Sequence, residues 1–431
     1  MKKKNRTFLF FFCLVTFLIL APIIILYSQG YRVNFNLGEK KIKFVQTGGM
    51  YFKVSPKTAD IYLNGKLEKK TSFLGGSTLI KNLIPESYLI EISKEGYKTW
   101  RKNLEVKQKT VTEAKNIILF PENFQFQMLL EKIDDFWIFP DGEKIITLES
   151  PSEEPGQWEL KLLDIERNIK SYVISKKDIY SKEVSFFDLN FEGENDKIYL
   201  TLGLKEQERK FSLKLDETPP FLKEVEEEKI PEYFLAYEKD DNEIYYIDNS
   251  GHLYQTDNSL KPKLKLTEIP FPVKQETPYK INLFLNYFFL QEEKNLYILN
   301  NESKSFEKIF SNLSGLRISP NEDKIALFSN SEIKVFFLRE INERPKRKFG
   351  DEILITRLSE NIENVSWINP NYLIFTTGEN IKVSEIDDRD TINTYTLGTF
   401  KNPKMVWNER DKKIYILSEN NLYSSDKLIS L

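Results

Sequence analysis

The chain has 431 residues, 40% of them hydrophobic, with 32 Phe and 21 Tyr against 17 Gly and 18 Pro. It can therefore bury more than one core, and its wealth of strand-favouring aromatics excludes a disordered or collagen-like polymer. Net charge is −3, falling to −7 (−3 minus 4) for the remainder once Lys2, Lys3, Lys4 and Arg6 are set aside, so the surface holds no global attraction for nucleic acid.

Residues 1–27 read as a basic cytoplasmic tail followed by a transmembrane signal anchor. From Phe8 to Tyr27 the chain is nearly unbroken hydrocarbon, and twenty helical residues span about 30 Å, the thickness of a bilayer core. Phe8, Phe12, Leu18 and Ile24 mark the lipid-facing run, and Tyr27 stands where an interfacial aromatic belongs. A cleavable signal peptide would end this run at a small-x-small site, but Ile23-Ile24-Ile25-Leu26-Tyr27 fills that position. The basic tail orients the anchor with its N-terminus in the cytoplasm and the bulk of the chain outside it, an asymmetry diluted by Arg32, Lys40, Lys41 and Lys43. Residues 28–45 read as a juxtamembrane linker.

Residues 46–120 read as six or seven short strands forming a half-buried antiparallel sandwich. Asn64-Gly65 is a two-residue hairpin signal, because a type I′ turn needs positive φ at both positions. Tyr88, Ile90 and Ile92 share one face by period two, as do Leu104 and Val106, with Asn103 and Glu105 opposite. The order Ser55-Pro56, Ala59-x-Ile61-Tyr62-Leu63-Asn64-Gly65, Leu83-x-Pro85, Tyr88 and Lys94-Glu95-Gly96-Tyr97-Lys98 resembles a PEGA domain, departing from it at Ser87 and at Thr71-Ser72. The resemblance implies a small extracytoplasmic β-sandwich without catalytic residues, used for display or adhesion, with Pro56, Ala59, Asn64, Gly65, Pro85, Glu95, Gly96 and Tyr97 as structural positions. Tyr97 and Trp100 read as sandwich packing.

From 121 to 431 a unit recurs: strand, polar turn, apolar strand, loop, alternating strand. Its middle strand aligns at Ile145, Ile198, Ile244, Phe288, Ile325, Leu373 and Ile414, about 45 residues apart, the length of a four-stranded propeller blade. Third-strand anchors follow at Leu160, Phe211, Leu253, Leu296, Ile333, Ile381 and Leu422. The expected class is therefore all-β: one N-terminal helix, a PEGA-like sandwich, and a β-propeller of about seven four-stranded blades. Ring closure needs a strand from elsewhere, and 124–130 is placed to supply it. The segments Pro140-Asp141-Gly142 and Ser319-Pro320-Asn321, with Trp367, Pro370 and Trp407, resemble the repeat of propellers related to the Tol-system periplasmic protein and, more distantly, WD-repeat proteins. In such repeats these residues turn the chain between the first and second strands.

The single cysteine, Cys13, precludes an intrachain disulfide and a cysteine metal site. The single histidine, His252, reads as a loop or strand-start residue in a turn-like setting. The charge runs 224–228 and 344–348 read as solvated inter-blade loops, and Asp387-Asp388-Arg389-Asp390 lacks the Gly and distal Glu of a calcium loop. Phosphate-binding loops, nucleophile elbows and metal helices are absent, so no catalytic, cofactor-binding or metal residue is assigned. The expected function is a membrane-anchored binding or scaffold protein of the cell envelope, held in the lipid bilayer and displaying a protein- or glycan-binding platform. The alternatives are a propeller-type polysaccharide hydrolase or lyase using paired carboxylates, and a sensor ectodomain of a signalling assembly.

Overall fold

The computed structural model of the protein describes residues 3–36, 41–151, 154–179, 184–191, 197–204, 207–217, 221–226, 230–240, 242–261, 263–343 and 345–429. Lys2, Lys40, Glu227, Glu228 and Arg344, named above, lie outside the described residues.

Helix α1 (Lys3–Ser28) continues through Pro22, and Phe8, Phe12, Leu18, Ile24 and Tyr27 are all exposed along it. The apolar stretch Phe8–Ser28 is long enough to cross a membrane, as a single-pass anchor or a signal sequence would be. Where a linker was expected, β1 (Tyr31–Asn36) and β2 (Lys41–Gln46) pair as an antiparallel hairpin. The cause is legible in retrospect: Tyr31, Val33 and Phe35 alternate with polar residues, the two-residue period of a strand. The hairpin returns on itself, so Thr47 N–H and Oγ1 both donate to Gly30 O, at 2.8 and 2.9 Å. The next unit thus begins against the end of the helix.

That unit comprises β3 (Gly48–Ser55), β4 (Asp60–Leu63), β5 (Lys66–Lys70), β6 (Ser77–Leu83), β7 (Ser87–Ser93), β8 (Trp100–Glu105) and β9 (Val111–Ile118). They form two sheets, β6-β3-β9 and β5-β4-β7-β8, whose facing side chains make one core from Met50, Phe52, Ile61, Ile90, Ile92 and Trp100. The turn between β4 and β5 has φ of 50° at Asn64 and 79° at Gly65, as the hairpin signal requires. The expectation of a wholly antiparallel sandwich needs correction, because β3 and β9 pair parallel. They are the first and seventh strands, and six reversals of the chain bring the seventh back to the direction of the first.

The rest of the chain is a β-propeller, in which the described residues form seven four-stranded sheets. We number them I (135–175), II (184–224), III (234–265), IV (279–310), V (315–357), VI (362–399) and VII, whose three strands fall within 404–425. Ile145, Ile198, Ile244, Phe288, Ile325, Leu373 and Ile414 each stand second in the second strand of their sheet. First strands of neighbouring sheets touch in III and IV, in V and VI, and in VI and VII, which places them at the hub. Sheet VII is completed by β10 (Phe126–Glu131), antiparallel to Asn421–Ser425. An early strand thereby closes a late sheet, removing the edge that would otherwise stay unpaired. Across the same seam the Asn408 side-chain amide donates to Gly142 O at 2.9 Å.

The turns between first and second strands follow the repeat. Phe139 N–H donates to Lys144 O with Gly142 at φ 71°, and Ser319 N–H donates to Lys324 O with Glu322 at φ 56°. Asn371 N–H donates to the Asn369 side chain beside Pro370.

Candidate functional site at the joint between sandwich and ring

Strand β8 alternates buried and exposed, with Trp100, Lys102 and Leu104 inward. Lys102 therefore occupies a core parity, and its side chain is fully buried. A buried ammonium is tolerable only when paired and fully hydrogen-bonded. Here Nζ pairs with Glu385 Oε1 at 2.8 Å and donates to Asp387 O at 2.7 Å and Thr391 O at 2.9 Å, which uses all three of its protons. Glu385 comes from the third strand of sheet VI. Its Oε2 accepts from Trp100 Nε1 at 2.8 Å, and its Oε1 also accepts from Asn393 N and Nδ2.

Further bonds join the two bodies around this pair. Asn103 N and Nδ2 donate to Asp390 Oδ2 at 2.7 and 2.9 Å, Arg389 Nη1 donates to Glu113 O at 2.7 Å, and Tyr395 donates to Thr99 O at 3.1 Å. Ile118 N–H donates to the Tyr372 hydroxyl at 3.0 Å, and Phe120 packs edge-on against the Tyr372 ring. Burial, reinforced by nearby Glu385, pushes the Tyr372 and Tyr395 phenols well up, so both stay neutral and free to hydrogen-bond.

Beside the joint lies a cleft of about 580 Å³, bounded by β9, the turn at 321–324 and the loop at 340–347 of sheet V, and Pro370 to Arg389 of sheet VI. The sheet V loop is braced by a two-bond bridge, Ile341 N–H to Arg347 O at 2.8 Å and Arg347 N–H to Ile341 O at 3.0 Å. Among the described residues, every cation lining the cleft carries a carboxylate partner: Lys115 with Glu113, Lys324 with Asp323, Arg347 with Asp388, and Arg389 with Asp387. Burial alone would raise the Asp387 carboxyl, but the Arg389 guanidinium outweighs it and holds it below the ordinary range. Burial pushes the Lys324 ammonium down despite Asp323. The Lys115 ammonium is held up by its bond to Glu113. Glu340 and Glu343 have no ion-pair partner among the described residues.

Two expectations are corrected here. The basic run at 344–348 does not join sheets; it lies between the third and fourth strands of sheet V, and Arg347 is mostly buried against Asp388. The acidic run was expected in a loop, but Glu224 closes the last strand of sheet II. The cluster 387–390 spends its carboxylates on Arg389, Arg347 and Asn103. Trp100 packs the sandwich core, yet its indole N–H reaches the ring, a role its spacing did not signal.

The motif positions serve local structure. Ala59 N–H donates to Thr71 Oγ1 at 2.9 Å, Gly96 takes φ 78° ahead of Tyr97, and Tyr97 bridges to Pro121. Pro56 follows β3, Pro85 falls between β6 and β7, and Glu95 lies in the turn before Gly96. Pro140 and Asp141 turn sheet I, and Pro320 and Asn321 turn sheet V. Trp367 Nε1 donates to Arg317 O in the neighbouring sheet, and Trp407 lies in the first strand of sheet VII. His252 precedes a strand of sheet III and contacts Thr267 and Lys265. Of all these, only Asn321 and Pro370 line the cleft. Sequence reasoning missed Lys102, Glu385 and Tyr372; the sole signal was a lysine on the buried parity of an alternating strand.

No family model and no curated protein matches the chain. Among solved structures it is similar to the β-propeller domain of Cps50 (Swd1) from Myceliophteria thermophila, at 11% identity over 71% of this chain and 99% of that one, with a TM-score of 0.41. It is similar also to YCF48 bound to D1 peptide (12%, 72% and 96%, 0.38) and to YCF48 from Cyanidioschyzon merolae (9%, 70% and 98%, 0.41).

Proposed function

We propose that this protein is a membrane-anchored, extracytoplasmic scaffold of the cell envelope. The PEGA-like sandwich is the spacer that seats the propeller, and the cleft at their joint is the partner-binding platform. The observation that carries this reading is the buried Lys102–Glu385 pair with its full set of donors and acceptors. A tether needs no such joint, whereas a composite binding surface needs its two walls held in fixed register. The carboxylates Asp323, Glu385 and Asp387 beside the cleft are each neutralised by a cation, so none of these three is the proton-carrying carboxyl that the hydrolase reading needs.

The test is a photo-crosslinking amino acid placed in the full chain at Asn342, in the cleft, and at Lys170, on sheet I, in native membranes. Discrete protein adducts from position 342 that are absent from position 170 are expected. Equal labelling from both positions, or none from 342, overturns the platform.

A further inference from the structure

Strand β9 is an edge strand: among the described residues it pairs with β3 on one side only. On its other side the edge is capped at two points, Glu113 O by Arg389 and Ile118 N–H by Tyr372. Residues of a strand alternate in the direction of their backbone groups, so Lys115, ahead of the register shift that follows Ala114, shares the outward side with Glu113. Its outward N–H and C=O lie on the side of the cleft that Lys115 and Asn116 line, and no described residue outside β3 bonds to them.

Across the cleft, Arg347 pairs with Asp388 through Nη2, while its Nε is buried without a hydrogen-bond partner. The capped positions are about 16 Å apart along the strand at the usual rise, room for an extended segment of about four residues. Because the lining cations are already paired, the charge left over among the described lining residues is that of Glu340 and Glu343.

Resting on the platform reading, we infer that the cleft binds an extended peptide of a partner protein, which adds as a strand to the β9 edge and directs a Lys or Arg side chain at Glu340 and Glu343. The main chain supplies affinity through the edge, and the two carboxylates supply selectivity.

The experiment uses the full chain in detergent and fluorescent peptides of alternating Val and Thr with a central Arg, a central Glu, or a central Pro, read by anisotropy. The Arg peptide is expected to bind, the Glu peptide at least tenfold more weakly, and the Pro peptide not at all. Lys115→Pro removes an outward N–H without breaking the β3 ladder and is expected to abolish binding, while Lys115→Gln, the folding control, retains it. The double variant Glu340→Lys, Glu343→Lys is expected to reverse the preference between Arg and Glu peptides. Protection of the amide of Lys115 from hydrogen exchange on adding the Arg peptide is the independent readout. Failure of all three peptides to bind, or undiminished binding by Lys115→Pro, overturns strand addition. If crosslinking from Asn342 still yields adducts in that case, the platform stands and only its recognition mode is wrong.

Discussion

Lys102 shows how one residue can hold two bodies together. Removing one member of a buried ion pair leaves the other charge uncompensated, commonly at 3–5 kcal/mol. Glu385 would keep three neutral donors, from Trp100 and Asn393, so Lys102→Met is expected to cost about 3 kcal/mol, the low end of that range. Adding Glu385→Gln should recover much of the loss by removing the stranded charge, a coupling that a double-mutant cycle in denaturant measures. Glycines offer a second contrast. Gly65 and Gly142 both have positive φ, but a Cβ on Gly65 meets nothing within 4 Å, whereas one on Gly142 would lie 2.2 Å from Asn408 Oδ1. Gly65→Ala should therefore cost only the backbone term of about 1–2 kcal/mol. Gly142→Ala should cost more, because it also wedges open the closing seam of the ring, and thermal unfolding of the two variants compares them directly.

At the scale of elements, the segment 387–391 is where the ring grips the sandwich, and its chemistry sets a pH limit. Asp387, despite burial, is held low by Arg389, and Asp390 is held low chiefly by the Asn103 backbone N–H. Carboxyls depressed in the folded state stabilise it fully above their unfolded value of about 3.9 and lose that contribution as pH falls through the lower folded values. The joint should accordingly be unchanged from pH 7 to 5 and loosen only below about 4, followed by hydrogen exchange at Asn103. Loosening already at pH 6 would show that other groups govern it. Elements also mark what was readable in advance. The seven second strands could be aligned because Ile145, Ile325 and Ile414 repeat one local pattern against one turn. The hairpin at 64–65 was readable because its two residues carry their own backbone preference. The joint was not, since Trp100 and Glu385 meet across 285 residues and neither has a local signal. The parallel pairing of β9 escaped because strand direction within a sheet depends on the path of the whole unit.

For the molecule as a whole, the joint predicts coupled behaviour. Ile118, the last residue of β9, and Phe120 just beyond it belong to the same buried cluster as Tyr372, Ile374 and Ile414 of the ring, so the two bodies share apolar core as well as polar bonds. Calorimetry of the full chain in detergent should show sandwich and ring unfolding in one transition. Lys102→Met should separate it into two, with the sandwich no longer tied to the ring's midpoint. Two transitions in the unaltered chain would mean the joint is too weak to act as a rigid platform.

The strand β10 also carries a consequence in time. Its partner, Asn421–Ser425, lies about 300 residues further along, and ribosomes add about 5–20 residues per second. During synthesis β10 therefore waits about 15–60 s for the strand that completes its sheet, long after the sandwich beside it has all seven of its own strands. The nascent ring must pass through that interval open. Any helper of its biogenesis would find its target at Phe126–Glu131, an edge hidden once the last strand arrives.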